Sequence, residues 1–392
     1  MNQKLHIGVV FGGRSAEHEV SLVSASSIIS SLDKNKYDIT PIGISPAGQW
    51  FAGDEVMDLF KQGRSDKRYQ VILPADPVER RLIPVDTALM TVAQWQHHLN
   101  RLDVLFPVLH GTYGEDGTIQ GLFEMADIPY VGAGVLGSAV SMDKIFQKYM
   151  CHYVGLPAVD YVWLDELDWN GRSCEQALPH ISAETREQLL HKIIEELGLP
   201  LFIKPPNLGS SVGISKAHDS KELEEAIELA LHYDRKVLIE KAVPNAREIE
   251  VSVLGNERPK ASVAGEIIPS NEFYDYDAKY VDNASELIIP APLPPDLHER
   301  IRQTAVKAVM AVEAEGFARV DFLLDRETNR FYLSEINTIP GFTKISMYPK
   351  LWEASGIAYS DLLDEMIRLA LERHQKRSVK KTTFTPKSEW YR

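Results

Sequence analysis

The sequence predicts an α/β lobe followed by α+β structure, on three grounds. Strand-like and helix-like segments alternate over residues 1–137, and such alternation is typical of a largely parallel sheet. After about residue 150, apolar strands come in pairs joined by loops too short for a crossover helix, which indicates antiparallel hairpins. The chain has 392 residues, enough for two or three domains at roughly 100–200 residues each.

The first lobe begins with a buried strand that ends at a pair of glycines. Ser15 is predicted to cap the helix that follows, with Glu17 and Glu19 in its first turn, where acidic groups favour a helix N-terminus. Ligands on such sheets gather at the carboxyl ends of strands, where Gly12 and His110 lie. The predicted strands are 5–11, 37–44, 104–109 and 128–131, and a further helix is predicted at 119–125.

The second half of the chain is predicted to contain hairpins, two helices and one long loop. Residues 271–283 mix polar and aromatic side chains without periodicity, which favours a functional loop over a buried element. The tail from residue 373 is basic and turn-rich, and we expect a solvated extension. Strands are predicted at 201–204, 212–215, 237–240, 249–254, 319–324 and 331–336, and helices at 221–231 and 297–315.

The composition excludes several classes of protein. Apolar residues make up 44% and charged residues 25% of the chain, which is ordinary for a globular protein with a sizeable core. The formal net charge of −14 argues against a nucleic-acid partner, because such binding depends on neutralising phosphates. Cys151 and Cys174 are too few for a zinc cage or a disulfide framework. We find neither a signal peptide nor a membrane span, and we expect a soluble, cytoplasmic protein without membrane insertion.

Residues 132–137 match the pattern G-x-G-x-x-G, which has two interpretations. The first is a dinucleotide fingerprint with Asp160 near the spacing of a ribose-binding carboxylate, as in an NAD-dependent oxidoreductase. The second, which we prefer, is a tight strand-to-helix turn whose glycines permit close packing, because Asp160 opens a segment instead of ending a strand. The P-loop pattern G-x-x-x-x-G-K-[ST] does not occur in the sequence.

Three further clusters offer nucleotide or metal chemistry. Lys204 precedes a Gly/Ser-rich loop whose backbone N–H groups suit ATP phosphates, although an ordinary hairpin with a surface lysine fits equally well. Strand alternation puts Arg319 with Asp321, and Glu335 with Asn337, each pair on one face. Such oxygen ligands suit Mg²⁺, whereas a structural ion network is the alternative. Residues 240–243 and 248 offer a base and ribose clamp, although such a pattern by itself is usually an exposed hairpin.

Four motifs in this order resemble the D-alanine–D-alanine ligases of the ATP-grasp superfamily. They are GGRSAEHEVS at 12–21, HGTYGEDG at 110–117, GSSVG at 209–213 and EINTIPGFT at 335–343, and the resemblance runs from Phe11 to about Leu371. It implies an ATP-grasp fold with an N-terminal parallel-sheet (pre-ATP-grasp) lobe, three lobes in all. The implied lobes are 1–137, which binds the first D-alanine, 138–235, the central lobe, and 236–371, with the metal site, followed by the basic tail 372–392.

The resemblance also implies roles for individual residues. Ser346 and Met347 match the pair that receives the carboxylate of the second D-alanine, and Tyr280 lies on the loop that closes the site and bonds to Ser210 and Glu17. The implied catalytic residues are Glu17, Ser210, Tyr280 and Arg319, and those binding substrate are His110, Lys279, Gly341, Ser346 and Met347. The implied ATP-binding residues are Lys144, Lys204, Ser211, Glu240, Lys241, Val243 and Glu248. Two Mg²⁺ ions, or Mn²⁺ in their place, are implied at Asp321, Glu335 and Asn337.

The implied activity is an ATP-dependent, ADP-forming ligase that makes D-alanyl-D-alanine through an acyl phosphate, for peptidoglycan and thus for cell-wall biogenesis and cell shape. A homodimer is the family expectation. The close alternative is a D-alanine–D-lactate ligase, against which Tyr280 argues because that position differs in family members preferring the hydroxy acid. An NAD-dependent oxidoreductase makes no use of the candidate metal ligands, and a non-enzymatic nucleotide-binding regulator has no need of Glu17 and His110.

Overall fold

The computed structural model describes residues 4–86, 101–172, 183, 185–209, 212–268, 286–343 and 345–384. Within these ranges the chain forms three β-sheets, of six, four and five strands, with helices packed on them. This arrangement confirms the predicted combination of α/β and α+β structure. In the described part of the chain, no helix is long and apolar enough to cross a membrane.

The first sheet is parallel only at one end, over three of its six strands. Its strands are β1 (Leu5–Gly12), β2 (Tyr37–Ile44), β3 (Trp50–Ala52), β4 (Gln70–Ile72), β5 (Ile83–Pro84) and β6 (Val104–Pro107). β1 pairs in parallel with both β2 and β6, whereas β3, β4 and β5 continue the sheet as an antiparallel edge. The prediction of a strand at 128–131 is wrong, because this segment forms only one isolated bridge, between Leu105 and Tyr130.

Three helices accompany this sheet: α1 (His18–Ser31), α2 (Val56–Lys61) and α3 (Thr118–Met125). The predicted cap at Ser15 is wrong, since α1 begins at His18 with Glu17 at the N-cap position. The hydroxyl of Ser15 instead accepts the backbone N–H of Glu17 at 3.1 Å. Gly12 and Gly13, with φ of 87° and 102°, let the chain turn sharply after β1, and the helix starts only after that turn is complete.

The second sheet is antiparallel throughout, in the order β7-β10-β8-β9. Its strands are β7 (Tyr161–Asp165), β8 (Leu201–Lys204), β9 (Ser215–Ala217) and β10 (Lys236–Lys241). The helices in this part of the chain are α4 (Val135–Met142), α5 (Lys144–Tyr153), α6 (Glu166–Trp169), α7 (Arg186–Leu197) and α8 (Ser220–Leu231). The predicted antiparallel hairpin is confirmed, but the strand predicted at 212–215 is wrong in its bounds, since β9 begins only at Ser215. A lobe boundary between 235 and 236 would cut β10 from its sheet, and we therefore propose a boundary after Lys241.

The third sheet is also antiparallel, in the order β13-β12-β11-β14-β15. Its strands are β11 (Ala246–Gly255), β12 (Lys260–Ile268), β13 (Glu286–Ile288), β14 (Gly316–Asp325) and β15 (Phe331–Asn337), and its helices are α9 (Pro295–Ala311), α10 (Met347–Ala354) and α11 (Tyr359–Ser378). α9 ends four residues before the predicted Glu315. The backbone of Glu313 is left-handed, with φ of 54°, and so leaves the helix to enter β14.

The last helix returns to the first lobe, so the predicted solvated tail is wrong at Arg373, whereas residues 375–384 are exposed as expected. Apolar residues of α11, including Leu363 and Ile367, share one core with Phe11 and Phe106 of the first sheet. Arg373 is only 6% exposed, and its guanidinium donates to the carbonyls of Gly132 and Tyr130. Because a buried donor needs a partner, these bonds fix the helix end, while residues 385–392 lie outside the described part.

The glycine turn at 132–137 serves packing between lobes. A Cβ added at Gly137 would lie 2.4 Å from the carbonyl oxygen of Glu313, and one at Gly316 would lie 3.1 Å from that of Gly132. Only glycine permits backbones to approach this closely. Asp160 lies just before β7, where its carbonyl accepts the N–H of Lys241. These contacts favour the tight-turn interpretation over a dinucleotide fingerprint.

Candidate active site

One cleft of about 560 Å³ opens where the three sheets meet. Most of the residues singled out in the sequence line it, although they come from distant parts of the chain. The predicted residues in its lining are Glu17, His110, Lys144, Lys204, Glu240, Lys241, Glu248, Arg319, Asp321, Glu335, Asn337, Gly341, Ser346 and Met347. Val243 lies in the turn between β10 and β11, and Ser210, Ser211, Lys279 and Tyr280 lie outside the described residues.

Glu17 marks the end of the cleft formed by the first lobe. It precedes α1, and only 8% of the residue is exposed. A Cβ built on Gly111 would lie 2.7 Å from its Oε2 atom, and one built on Gly209 would lie 2.8 Å from the same atom. The start of the glycine-rich loop therefore reaches the acid of the first lobe, and glycine at 209 leaves room for this approach.

His110 connects the first lobe to the segment after β15. Its Nδ1 atom lies 2.9 Å from the carbonyl oxygen of Ile339, and its Nε2 atom lies 3.1 Å from the hydroxyl of Ser24. Burial lowers the pKa of His110, partly opposed by the nearby carboxylate of Glu17. A neutral ring with its proton on Nδ1 satisfies both contacts, and both ring nitrogens are thus engaged within the protein.

Glu115 holds the same peptide segment, and sequence reasoning missed it. Its carboxyl group accepts the N–H of Gly111 at 2.7 Å and the N–H of Ile339 at 3.0 Å. Burial, and then the charge of Glu17, raises the pKa of Glu115 to about 8. Its place within the HGTYGEDG motif was the signal that could have identified it. Together with His110 it binds both polar groups of the Ile339 backbone.

Two lysines lie on the side of the cleft formed by the second sheet. The Nζ atom of Lys144 is 2.9 Å from the carbonyl oxygen of Leu208 and 3.4 Å from Oε2 of Glu335. That of Lys204, at the end of β8, is 2.6 Å from Oε2 of Glu240. Burial acts to lower the pKa of Lys204, but the carboxylate of Glu240 outweighs it and the pKa is raised. Lys204 therefore keeps its positive charge, and the Lys144 ammonium group lies on the same side of the cleft.

Glu240 binds a second, deeply buried lysine that the sequence did not reveal. Oε1 of Glu240 lies 2.5 Å from Nζ of Lys148, whose side chain is 1% exposed. Burial alone would raise the pKa of Glu240, but Lys148 and Lys204 lower it to about 2. Lys148 follows Lys144 by one helical turn, so both lie on the same face of α5. That spacing was the available signal.

The predicted metal ligands lie on neighbouring strands. Asp321 of β14 pairs in register with Glu335 of β15, and Arg319 pairs with Asn337, as strand alternation predicts. The guanidinium of Arg319 donates two bonds of 2.7 Å to Asp321. The amide of Asn337 donates to Asp321 at 2.9 Å. The carboxylates of Asp321 and Glu335 therefore face one side of the sheet.

Glu250 adds a third carboxylate to this row, and it was not predicted. It lies opposite Asp321 on β11, and its Oε2 atom is 3.0 Å from Nε of Arg319. Burial acts to lower the pKa of Arg319, but Asp321 and Glu250 raise it well above its ordinary value. Glu248 and Glu250 are two positions apart, so alternation along β11 could have identified the second from the first.

The remaining side of the cleft is the N-terminus of α10. Ser346 is its N-cap and Met347 its first residue. The hydroxyl of Ser346 accepts the N–H of Thr343 at 3.0 Å, and a Cβ on Gly341 would lie 2.8 Å from that hydroxyl. Free N–H groups at a helix N-terminus suit a carboxylate. Lys350, one turn further along, also lines the cleft and was not predicted.

Comparison with known proteins identifies the family. A profile described as "D-ala D-ala ligase C-terminus" matches residues 150–368, and one described as "D-ala D-ala ligase N-terminus" matches residues 6–133. The chain belongs to the D-alanine–D-alanine ligase family. A D-alanine–D-alanine ligase from Thermoanaerobacter pseudethanolicus is 51% identical over 377 residues, covering 96% of this chain and 99% of that protein. One from Chloroherpeton thalassium is 47% identical over 388 residues, covering 97% and 100%.

Solved structures of family members have the same architecture. The D-alanine–D-alanine ligase from Coxiella burnetii has a TM-score of 0.76 at 35% identity and covers 96% of each chain. The VanG D-Ala:D-Ser ligase from Enterococcus faecalis has a TM-score of 0.79 at 33% identity, covering 94% of this chain and all of that one. The similarity confirms the predicted ATP-grasp fold. Family membership implies an ATP-dependent, ADP-forming ligase that uses a divalent metal.

The residues on β14 and β15 fit such a metal. Their donors are two carboxylates and one amide oxygen, which are the ligands of hard divalent cations. Among the described residues, no group of three or more His, Cys, Asp and Glu side chains could by itself hold a metal ion. A site with few protein ligands suits an ion that takes part of its coordination from substrate phosphates. In this structure Arg319 neutralises the carboxylate of Asp321 that would bind the metal.

Proposed function

We propose that this protein joins two molecules of D-alanine into D-alanyl-D-alanine at the expense of ATP, as a step in making peptidoglycan precursors for the bacterial cell wall. One observation carries the proposal. A single cleft contains Glu17 of an amino-acid subsite, Lys144 and Lys204 beside a glycine-rich loop, and the oxygen ligands Asp321 and Glu335. An enzyme that activates an amino acid with ATP needs these three groups within reach of one another.

The first step is the activation of a carboxylate, which is a poor electrophile at neutral pH. The carboxylate of the first D-alanine attacks the γ-phosphate of ATP, giving an acyl phosphate and ADP. Lys204 and Arg319 stabilise the charge spread over the transferring group, and Lys144 holds the phosphates beside the glycine-rich loop. Glu17, buried at the end of the cleft, orients the ammonium group of the same D-alanine.

The second step forms the peptide bond. The amine of the second D-alanine attacks the acyl carbon, and phosphate leaves after a tetrahedral intermediate. Arg319 lies on the face of the third sheet where it can stabilise the oxyanion. The N–H groups of Ser346 and Met347 bind the carboxylate of the second D-alanine, next to Gly341. The expected parts of Ser210, Lys279 and Tyr280 in binding and closure remain predictions from the sequence.

The nucleotide and metal subsites complete the proposal. Glu240, Lys241, Val243 and Glu248, around the junction of β10 and β11, contact the base and ribose, and Ser211 contacts phosphate. Asp321, Glu335 and Asn337 hold two Mg²⁺ ions, for which Mn²⁺ can substitute. When bound, these ions supply positive charge that binds the phosphates of ATP and offsets charge on the transferring group.

D-Alanine is the proposed acceptor in preference to D-lactate. Relatives that cover nearly the whole chain at 44–51% identity are D-alanine–D-alanine ligases. We also propose a cytoplasmic location, where ATP and the amino acids are available, and a homodimer.

Phosphate release from ATP tests the activity. With Mg²⁺ present, we expect release that depends on D-alanine and a dipeptide product by mass spectrometry. Offering D-alanine, D-lactate and D-serine together near neutral pH tests the acceptor, and we expect mainly the D-alanine product. Release that does not depend on D-alanine would rule out the ligase, and a mainly depsipeptide product would change the acceptor.

A further inference from the structure

A buried cluster of three charges lies behind the proposed phosphate site. The two carboxylate oxygens of Glu240 are each bound by a different ammonium group, Lys148 at 2.5 Å and Lys204 at 2.6 Å. Lys148 comes from α5, Lys204 from β8 and Glu240 from β10. The side chains of Lys148 and Glu240 are 1% and 5% exposed, whereas that of Lys204 is 14% exposed. The cluster therefore reaches the cleft through Lys204.

The inner end of the cluster, at Lys148, is buried among apolar and aromatic groups. Lys148 lies under the apolar contacts of α5 with the second sheet, where Ile145, Trp163 and Leu238 form a small core. Its ammonium group also lies 5.3 Å from the centre of the Tyr161 ring, within the range of a cation–π contact. Such burial is costly for an ammonium group unless it is compensated. Lys148 therefore depends on Glu240 as much as Glu240 depends on it.

The net charge of the cluster determines how strongly Lys204 can attract a phosphate. Two ammonium groups and one carboxylate leave a net single positive charge. Without Lys148, Glu240 and Lys204 would form a neutral pair, and the carboxylate would draw on the one ammonium group left in the cluster. Charges interact strongly in a poorly solvated site. A phosphate would then compete with Glu240 for Lys204.

We infer that Lys148 is a positioning residue for the nucleotide. It neutralises the negative charge of Glu240 on the side away from the cleft, so that the positive charge of Lys204 is available to the phosphates. The inference rests on the proposed function, because it takes Lys204 as a phosphate ligand. It predicts that Lys148, which lies beneath the cleft surface, affects the binding of phosphates and hardly affects the binding of the nucleoside.

Calorimetric titration with ADP and with adenosine, in the presence of Mg²⁺, separates these two contributions. For Lys148→Met we expect at least a tenfold weaker affinity for ADP, about 1.4 kcal/mol, with the affinity for adenosine changed by less than about twofold, or 0.4 kcal/mol. Lys148→Arg keeps the charge and should retain most of the ADP affinity. Lys221→Met is the matched control, since this lysine is 84% exposed on α8 and its loss should change neither affinity.

A double variant tests whether Lys148 acts through Glu240. Lys148→Met with Glu240→Gln removes one charge of each sign and restores the net single positive charge. We expect its ratio of ADP to adenosine affinity to return to within about threefold of the wild-type ratio. If circular dichroism shows that Lys148→Met alone does not fold, the ratio of ADP to adenosine affinity in the double variant tests the inference instead.

Two results would overturn the inference: an unchanged ADP-to-adenosine ratio in Lys148→Met, or a tenfold lower ratio in the double variant. An equal loss of ADP and adenosine affinity leaves this ratio unchanged, so it would overturn the inference and assign Lys148 a purely structural role. Failure of the wild-type protein to bind ADP, or to release phosphate with D-alanine, would instead count against the proposed function. The two failures are thus distinguishable.

Discussion

Replacing Arg319 by methionine tests the centre of the proposed mechanism. Methionine replaces the apolar stem of arginine without its guanidinium, so the change removes the two bonds of 2.7 Å to Asp321 and the ion pair of 3.0 Å with Glu250. An arginine that stabilises a transferring phosphoryl group is worth about 10³–10⁵ in kcat, or about 4–7 kcal/mol. We therefore expect kcat for D-alanine-dependent phosphate release to fall by at least about 10³.

The same change should destabilise the protein in a way that a divalent cation reverses. Removing one partner of a buried ion pair costs about 3–5 kcal/mol. We expect the lower end, about 3 kcal/mol, because the Arg319 side chain is 19% exposed. The variant leaves the carboxylates of Asp321, Glu250 and Glu335 close together without their cation. Added Mg²⁺ should therefore raise the unfolding midpoint of Arg319→Met more than that of the wild type.

Three measurements check this prediction together. Phosphate release gives kcat, urea unfolding gives the free energy of unfolding, and thermal unfolding with and without Mg²⁺ gives the metal response. Arg319→Lys is the matched control: it keeps one charge but loses the planar fork that binds a carboxylate with two bonds, so it should recover stability better than activity. A kcat within tenfold of wild type in Arg319→Met would refute the assigned role of this residue.

Three further predictions follow from contacts elsewhere in the site and the fold. Glu335→Gln should abolish turnover while the circular dichroism spectrum stays unchanged, because it removes a charged metal ligand but not its shape; wild-type phosphate release would disprove the metal assignment. Burial and the charge of Glu17 raise the pKa of Glu115 to about 8. Between pH 4.5 and 8 the folded state therefore binds more protons than the unfolded state. The contribution of Glu115 to the free energy of unfolding is thus present below this window and is lost as the pH rises through it. Urea unfolding at pH 5 and pH 8 should show a smaller decrease in Glu115→Gln than in the wild type, and an equal decrease would contradict the assignment. Arg373→Met should lower the free energy of unfolding by about 3 kcal/mol, since bonds from a charged donor contribute about 1.5–3 kcal/mol each; a loss below about 1 kcal/mol in urea unfolding would mean that the bonds to Gly132 and Tyr130 contribute little.

Much of the fold and of the site follows from local patterns in the sequence. Alternation places Arg319 with Asp321 along β14, and Glu335 with Asn337 along β15, each pair on one face, because the strand repeat is two residues. That both pairs share a face was decided by the register of the two strands. The glycine pair after β1 likewise requires a sharp turn in any context. The strands at the centre of each sheet were largely predictable for the same reason, whereas β3, β4, β5, β7, β12 and β13 were not predicted. The pairing of 128–131 is decided by its neighbours.

Only the packing of distant elements decided which charged groups meet. Lys148 and Glu240 are 92 positions apart in the sequence, and Glu115 and Ile339 are 224 positions apart. Periodicity shows which face of a helix is apolar, but it does not show that a lysine on that face is compensated by a carboxylate from another strand. The burial of Arg373 was equally unpredictable, because a basic stretch of sequence is ordinarily exposed to solvent. Each of these groups is stable in the interior only because tertiary structure supplies its partner, and that partner is not encoded nearby in the chain.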